Sequence, residues 1–135
     1  MIITKKLVPT NKRTNHTAQL FGLHFPMHLE PAVYGLTDNL SEDYKGGYWD
    51  FWELSNDGFY MSPNSDKIFR VTTMNGYEGY MSGDALGLTA CIYAYSHLSF
   101  GPESRFTDDC ARHFHLLRDY ALDHIEGLAI MMAID

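Results

Sequence analysis

The stretch Tyr48-Trp49-Asp50-Phe51-Trp52-Glu53-Leu54-Ser55-Asn56-Asp57-Gly58-Phe59-Tyr60-Met61-Ser62 decides the middle of the fold. Its first half is rich in aromatic residues and partly alternating, so that Trp49 and Phe51 point to the same side of a strand. Asn56-Asp57-Gly58 supplies residues that tolerate a positive φ, which tight hairpin turns require. The stretch therefore predicts a β-hairpin with strands over residues 48–55 and 59–62.

Two further strands are predicted downstream of this hairpin. Pro63 ends the return strand because it has no backbone N–H to donate. Residues 67–74 are rich in β-branched and aromatic side chains, Asn75-Gly76 turns the chain, and residues 77–81 form a short fourth strand. The middle of the chain is therefore predicted to be an antiparallel sheet of three to four strands.

Helices are predicted on both sides of this sheet segment. A short helix over residues 17–25 is expected to stop before Pro26, and a second runs from residues 27–31 to Leu40. A central helix follows Ser82, which is well placed to cap it, and small residues form a stripe along it at Gly83, Gly87, Cys91 and Ala94. A third major helix begins near Thr107, and the chain bends near His124 before an apolar last segment over residues 128–134.

This order of elements predicts the α+β class, with a small antiparallel sheet covered by several helices. We expect a flexible basic lead-in over residues 1–15 and a single domain over residues 16–135. The chain has 135 residues, 45% of them apolar, which suffices for one well-packed core.

The composition also restricts where the protein works. No apolar run approaches the ~20 residues that span a bilayer, and the first residues lack the pattern of a signal peptide. Cys91 and Cys110 are too few for a disulfide framework, so we expect both to be reduced and buried. The sequence therefore predicts a cytoplasmic protein with no membrane association.

The charge of the chain is unevenly distributed. Residues 1–13 hold four of the ten basic residues and no acidic residue, so the remainder has six basic and seventeen acidic residues, a formal charge of −11. Duplex DNA carries one negative charge per ~1.7 Å, and a globule of this size would need about 20 ordered charges to imitate it. The charge therefore argues against DNA mimicry.

No catalytic set, metal site or cofactor site is predicted. Ser82 lies in Gly79-Tyr80-Met81-Ser82-Gly83, whose spacing is wrong for a nucleophile elbow, so Ser82 is better interpreted as a helix cap. His113 and His115 lie on opposite sides of a helix and cannot chelate one ion. No glycine-rich phosphate loop is present, and no cofactor is expected. A small hydrolase using Ser82 stays open as an alternative.

Two other surfaces allow more than one interpretation. The aromatic hairpin could stack unpaired bases, but its neighbours are acidic, which favours core packing. A nucleic-acid-binding module that uses the basic N-terminus also stays open. Asp119, Asp123 and Glu126 are spaced to share one helical face, either a solvated face or a docking surface for a protein. The complete candidate interaction surface is Asp84, Asp119, Asp123, Glu126 and Asp135.

Four segments follow one another in a fixed order: residues 46–61, residues 78–88, residues 115–124 and the final Ile134-Asp135. Their order and spacing resemble the ArdB/KlcA antirestriction family over roughly residues 30–135. The family's L-R-D-Y-A stands intact as residues 117–121. Ile125 stands where the family tends to have proline, which favours a continuous last helix over a bend near His124 and leaves both open.

The resemblance implies a function that the residues alone do not reach. Members are carried by plasmids and other mobile elements and reduce type I restriction of incoming DNA, and the family is not known as an enzyme. The implied partner is the type I restriction-modification machinery or an associated host protein. Together with the charge, the resemblance predicts a non-enzymatic antirestriction protein that acts by a protein-directed or indirect route, without binding DNA directly.

Overall fold

The structure, a computed structural model, describes residues 2–135. Its elements in chain order are strand β1 (Lys5–Leu7), a 3-10 turn (Thr10–Lys12), helix α1 (Arg13–Phe21), a π-helical turn (Phe25–Leu29), helix α2 (Glu30–Leu40), strands β2 (Trp49–Leu54), β3 (Phe59–Pro63), β4 (Ile68–Thr72) and β5 (Glu78–Ser82), and helices α3 (Gly83–Ser99), α4 (Arg105–Leu122) and α5 (Gly127–Ile134). The strands form two small antiparallel sheets against which the helices pack. This confirms the predicted α+β class.

The aromatic hairpin forms as predicted. β2 pairs with β3 in antiparallel register, with Phe51 opposite Met61, and Asp57 takes a positive φ of 74° in the turn between them. Trp49 and Phe51 are both buried, as the alternation of the strand indicates. The buried rings of Phe51 and Phe59 meet edge to face with centroids 5.5 Å apart, an arrangement that aromatic pairs prefer. The hairpin therefore belongs to the core.

The predicted flexible lead-in over residues 1–15 differs from what the structure describes. Residues 5–7 form the edge strand β1, antiparallel to β2, with Lys6 opposite Glu53. Pairing satisfies backbone groups along the open edge of β2 and places opposite charges across the ladder. Residues 10–21 continue as the 3-10 turn and α1. The basic start of the chain is thus part of the fold.

The predicted single sheet is two sheets. β1, β2 and β3 form the first, and β4 pairs only with β5, with Phe69 opposite Met81. Pro63 ends β3, and the chain leaves the first sheet through residues 64–67 before β4 begins. Both predicted downstream strands exist, but the local pattern of a strand does not identify its partner.

Helix α3 is the centre of the molecule. It packs against β3, α2, α4 and α5, and it is buried on nearly all sides. The predicted stripe of small residues faces β3: Cys91 Sγ lies 3.5 Å from the carbonyl oxygen of Met61, and Gly87 lies directly against Ser62. Because these side chains are small, the backbone of α3 can lie close to the backbone of β3.

The N-terminal helices differ from the prediction in their boundaries. α1 ends at Phe21, earlier than predicted, and Gly22 follows with a φ of 59°. Pro26 does not stop a helix, because it lies in the first turn of the π-helical turn, where a missing N–H costs little. The π-helical turn leads directly into α2, whose buried side chains are Val33, Thr37 and Leu40.

The C-terminal helices are separated by a bend, so the continuous last helix that Ile125 favoured does not form. α4 begins after Ser104, which forms a reciprocal capping box with Thr107, and its C-cap is Asp123. α5 then begins at Gly127, so the chain bends over residues 123–126 without a proline. None of the helices described for residues 2–135 is both long and apolar enough to cross a membrane. Cys91 and Cys110 are buried and not disulfide-bonded.

The contact between α3 and β3 predicts a strong effect of one methyl group. A Cβ atom at position 87 would lie 2.4 Å from Ser62 Cα, so Gly87→Ala must displace backbone. We expect it to lower the free energy of unfolding by about 1–3 kcal/mol, measured by urea denaturation.

Gly35→Ala is the matched control. Gly35 is exposed in α2 and has no atom within 4 Å of the added Cβ, so alanine should raise stability by about 0.5–1 kcal/mol through helix propensity. Equal effects of the two substitutions would contradict the packing described here.

Candidate functional site

Asp84, in the first turn of α3, is the centre of a polar cluster. Its Oδ1 accepts hydrogen bonds from the Tyr60 hydroxyl at 2.7 Å and from Lys5 Nζ at 3.0 Å. Its Oδ2 is 2.7 Å from Nε2 of His124. The donors come from β3, β1 and the bend before α5, so one carboxylate joins three distant parts of the chain to the start of the central helix.

His124 is held in one orientation by its two contacts. Its Nδ1 accepts the backbone N–H of Glu126 at 2.9 Å, so the proton of the neutral ring is on Nε2, facing Asp84. The side chain is only 6% exposed.

Glu126 links the bend to the strand before α3. Its Oε1 accepts the backbone N–H of Ser82 at 2.9 Å, and its other oxygen accepts the Ser82 hydroxyl. Ser82 Oγ also accepts the N–H of Ala85 at 3.2 Å, which confirms the predicted N-cap. The serine hydroxyl is therefore used within the fold.

The cluster holds a serine, a histidine and an aspartate, but not in the order of a catalytic triad. In a triad the histidine bridges the nucleophile and the acid. Here His124 bridges Asp84 and a backbone amide, and Ser82 bonds to Glu126 instead. The arrangement is that of a polar clamp between α3, β5 and the bend.

The electrostatics of the cluster favour a charged Asp84. Burial by itself raises the pKa of Asp84, but hydrogen bonds from His124, Tyr60 and Lys5 outweigh burial and lower it to about 2. Burial, followed by the charge of Asp84, raises the pKa of Tyr60 far above its usual range, so Tyr60 stays a donor. Lys5 Nζ also lies 3.9 Å from the ring centroid of Trp52, which fixes it against the first sheet.

The five predicted surface residues fall into two groups. Asp84 and Glu126 are half-buried and accept hydrogen bonds within the cluster. Asp119 and Asp123 are exposed on the last turn of α4 and its cap, and Asp135, 63% exposed, accepts from Arg118 at 3.3 Å. The common helical face predicted for residues 119, 123 and 126 is wrong, because α4 ends at residue 122 and the chain bends before residue 126.

Sequence analysis missed the other members of the cluster. Lys5 and Tyr60 are 79 and 24 residues from Asp84, and neither lies in a motif with it. His124 is 40 residues away, and no spacing signal connects it to the start of α3. The N-cap signal of Ser82 and the candidate acid Asp84 pointed to this end of the helix, but not to their partners.

The histidines considered as a metal pair lie apart. His113 is fully buried between Phe21 and Tyr95, and its Nδ1 accepts the N–H of Phe59 at 3.2 Å, whereas His115 is exposed. Burial lowers the pKa of His113 to about 4. Within the described part of the chain, no group of three or more His, Cys, Asp or Glu residues could hold a metal ion.

The hydrogen bonds to Asp84 predict that the free energy of unfolding falls at low pH, and that Asp84→Asn removes this fall. The folded-state pKa of Asp84 lies below its ordinary value of 3.8, so its stabilisation is present above that value and is lost as the pH falls toward 2. The shift corresponds to a loss on the order of 2 kcal/mol. Asp84→Asn should be less stable at pH 7 and should lack this loss in urea unfolding at pH 7, 4 and 2.

The comparison is designed to isolate Asp84. His113 binds its proton less readily in the folded state, so the free energy of unfolding falls as the pH drops from about 6.5 to about 4. This contribution is the same in the wild type and in Asp84→Asn, so it cancels when the two curves are subtracted. Asp119→Asn, at an exposed carboxylate, should leave the curve unchanged. An Asp84→Asn variant with the wild-type acid loss would show that the cluster is not its source.

Known proteins are similar to this chain in sequence and in fold. The family model described as antirestriction protein matches residues 42–135. The uncharacterized protein YafX of Escherichia coli K12 is 37% identical over 98% of this chain and 88% of its own length. Antirestriction protein KlcA of Escherichia coli is 33% identical over 98% of this chain and 95% of its own length.

A solved structure agrees with the architecture across the whole chain. It comes from work on the KlcA and ArdB proteins, which describes a novel fold and antirestriction activity against type I DNA restriction systems in vivo but not in vitro. It superposes with a TM-score of 0.91 and 33% identity, covering 100% of this chain and 96% of its own. By the family model and by its whole-length similarity to KlcA, the chain belongs to the antirestriction protein family that includes KlcA.

Proposed function

We propose that this protein lowers type I restriction of incoming unmodified DNA while leaving methylation largely intact. The observation that carries the proposal is the whole-length likeness to KlcA in sequence and fold. Restriction acts on DNA that has entered the cytoplasm, so the protein works there. A mobile element that carries such a gene would gain entry into restricting hosts.

The proposed route is directed at a protein or is indirect, and it does not imitate DNA. A mimic must present ordered negative charge at the density of duplex DNA, about one charge per 1.7 Å. The whole chain carries a formal charge of only −7. The carboxylates of Asp84 and Glu126 accept hydrogen bonds from groups inside the protein and are not directed at solvent together. The activity of KlcA and ArdB in vivo but not in vitro also supports an indirect route.

The proposed contact surface is the C-terminal region, and the five acids contribute to it differently. Asp119, Asp123 and Asp135 are exposed and available to a partner. Asp84 and Glu126 act through the bend, because their hydrogen bonds fix where α5 begins. The partner is the type I machinery or a host protein associated with it.

A non-enzymatic role is part of the proposal. Ser82 Oγ caps α3 and bonds to Glu126, and His124 contacts Asp84 and a backbone amide, so the cluster forms no serine–histidine pair. A hydrolase using Ser82 would require these contacts to rearrange. Labelling of Ser82 by an activity-based probe in the folded protein would favour that alternative.

The first test is the plating efficiency of unmodified phage on a host with an active type I system, with and without the protein. We expect plating to rise by orders of magnitude when the protein is expressed. Phage already carrying the host's methylation should plate equally in both strains. Folded protein in the cell with no rise in plating would contradict the proposed function.

A companion assay addresses the route. The purified protein, added to a purified type I enzyme and unmodified DNA, should leave cleavage unchanged. Competition with DNA that weakens steeply with salt would indicate that the protein occupies the DNA-binding channel. That result would overturn the route while leaving the antirestriction activity in place.

The basic N-terminus provides a test of the nucleic-acid alternative. Deletion of residues 1–13 would remove β1, so charge reversal of Lys6 and Lys12, both exposed, is the sharper experiment. We expect Lys6→Glu with Lys12→Glu to keep full antirestriction activity. Loss of activity in a variant of unchanged thermal stability would favour direct nucleic-acid binding.

A further inference from the structure

The C-terminal end of the chain exposes large apolar side chains that the fold does not use. We call Leu122, Ile125, Leu128 and Met132 the C-terminal apolar face; they are 61%, 96%, 78% and 55% exposed. The helix α5 has the sequence GLAIMMAI, without one polar side chain, and buries Ile130 and Ala133 on its inner side. An outward apolar face on a helix this short needs an explanation beyond core packing.

Two members of this face are neighbours on α5, and Ile125 lies just before that helix. Leu128 and Met132 are four residues apart on α5 and are therefore neighbours on its outer side. Ile125 precedes the N-cap residue Glu126, where an apolar side chain commonly packs against the fourth helical residue, Ile130. Ile130 is fully buried and Ile125 is almost fully exposed, so this staple is not formed. The Ile125 side chain is thus left for a partner.

β5 extends the same surface. Alternate side chains of a strand share a face, so Tyr80 lies on the side of Ser82, roughly 7 Å along the strand. Ser82 bonds to Glu126, which stands between Ile125 and α5. Tyr80 is exposed, and it brings an aromatic ring of the kind enriched in protein interfaces to the edge of the apolar face.

The exposure does not come from loose docking of the helix. At its start, α5 is fixed by the contact of Glu126 with Ser82. At its end, Asn75 Nδ2 donates to the carbonyl oxygens of Met132 and Ala133 at 3.3 and 3.2 Å, and the Tyr93 hydroxyl donates to Ala133. The apolar face is therefore presented in a fixed arrangement, which lowers the entropy cost of binding.

The exposed charges next to Leu122 are mainly negative. Across the ladder from Tyr80, Arg70 adds one cation, which pairs with Glu78 at 3.6 Å. Asp119 and Asp123 are exposed on either side of Leu122 in sequence, one on the last turn of α4 and one at its cap. The nearest cation in sequence, Arg118, is engaged by Asp135 at 3.3 Å. An apolar centre with an acidic rim is complementary to an apolar anchor with a basic rim.

Building on the proposed function, we infer that the C-terminal apolar face docks a protein surface in which an apolar anchor is flanked by lysine or arginine. A second copy of this chain fits poorly, because Asp119 and Asp123 would meet equivalent acids. DNA and anionic lipid are repelled by the same carboxylates. The occupant is therefore a basic protein surface of the restriction machinery or of a host factor that acts on it.

The test is the phage plating assay with Ile125→Gln and Leu128→Gln combined. Glutamine keeps helix propensity close to that of leucine, and both sites are exposed, so the fold should be retained. We expect the relief of restriction to fall by about ten-fold or more, the scale on which loss of a central apolar anchor weakens an interface. Leu128→Met, which keeps an apolar side chain, should retain activity.

The matched control is Leu23→Gln with Met27→Gln. These side chains are similarly exposed, but they lie at the end of α1 and in the π-helical turn, away from α5. The control should keep wild-type relief, and thermal unfolding and circular dichroism should show that both double variants fold. Full activity of the Ile125/Leu128 variant, or equal loss in the control, would overturn the inference.

Charge reversal at the exposed acids tests the chemistry of the partner. Asp119→Lys with Asp123→Lys should abolish relief, whereas Asp38→Lys with Glu103→Lys, at exposed acids elsewhere, should not. Sedimentation of the wild-type protein should show a monomer; a dimer dispersed by Leu128→Gln would assign the face to a second copy and overturn the inference. If the wild-type protein gives no relief at all, the proposed function itself fails, and the inference fails with it.

Discussion

The fold depends on the Asp84 carboxylate at the start of α3. A half-buried charge is costly unless it is paired and hydrogen-bonded, and here Tyr60, Lys5 and His124 supply the donors. Each donor comes from a different part of the chain. The position of β1, the packing of β3 on α3 and the bend before α5 are therefore coupled, since displacing any one leaves a half-buried carboxylate with fewer partners.

This coupling also determines what the C-terminal end presents to solvent. α3 is apolar on nearly all sides and offers few polar anchors along its length, so the bend is fixed at its polar start through Ser82 and Glu126. The rotation of α5 follows from that attachment: Ile130 faces inward and Leu128 faces outward. The contact between Ser82 and Glu126 thus belongs to the polar cluster and also fixes the helix that carries the proposed docking surface. The side chains of the cluster themselves are directed inward.

Local features of the sequence predicted local structure well. The Asn56-Asp57-Gly58 turn and the Ser82 cap depend on backbone preferences of a few neighbouring residues, and both formed as predicted. Non-local choices were not predictable: the partner of each strand, the pairing of β1, and the contact of Lys5 with Asp84, 79 residues away. Two members of the cluster, Asp84 and Glu126, were named as candidate surface residues because acids can be read from sequence. The separation of the candidate acids into internal and exposed groups required the bend.

The division of the acids bears on how such a protein could oppose restriction. A DNA mimic needs carboxylates that are ordered and directed outward together. In this chain Asp84 and Glu126, which are held by several hydrogen bonds, point at internal donors, while the exposed Asp119 and Asp123 flank apolar side chains. Nucleic acid offers no surface that matches apolar groups inside an acidic rim, whereas basic proteins do. The proposed docking surface therefore fits a basic protein surface with an apolar anchor better than it fits nucleic acid.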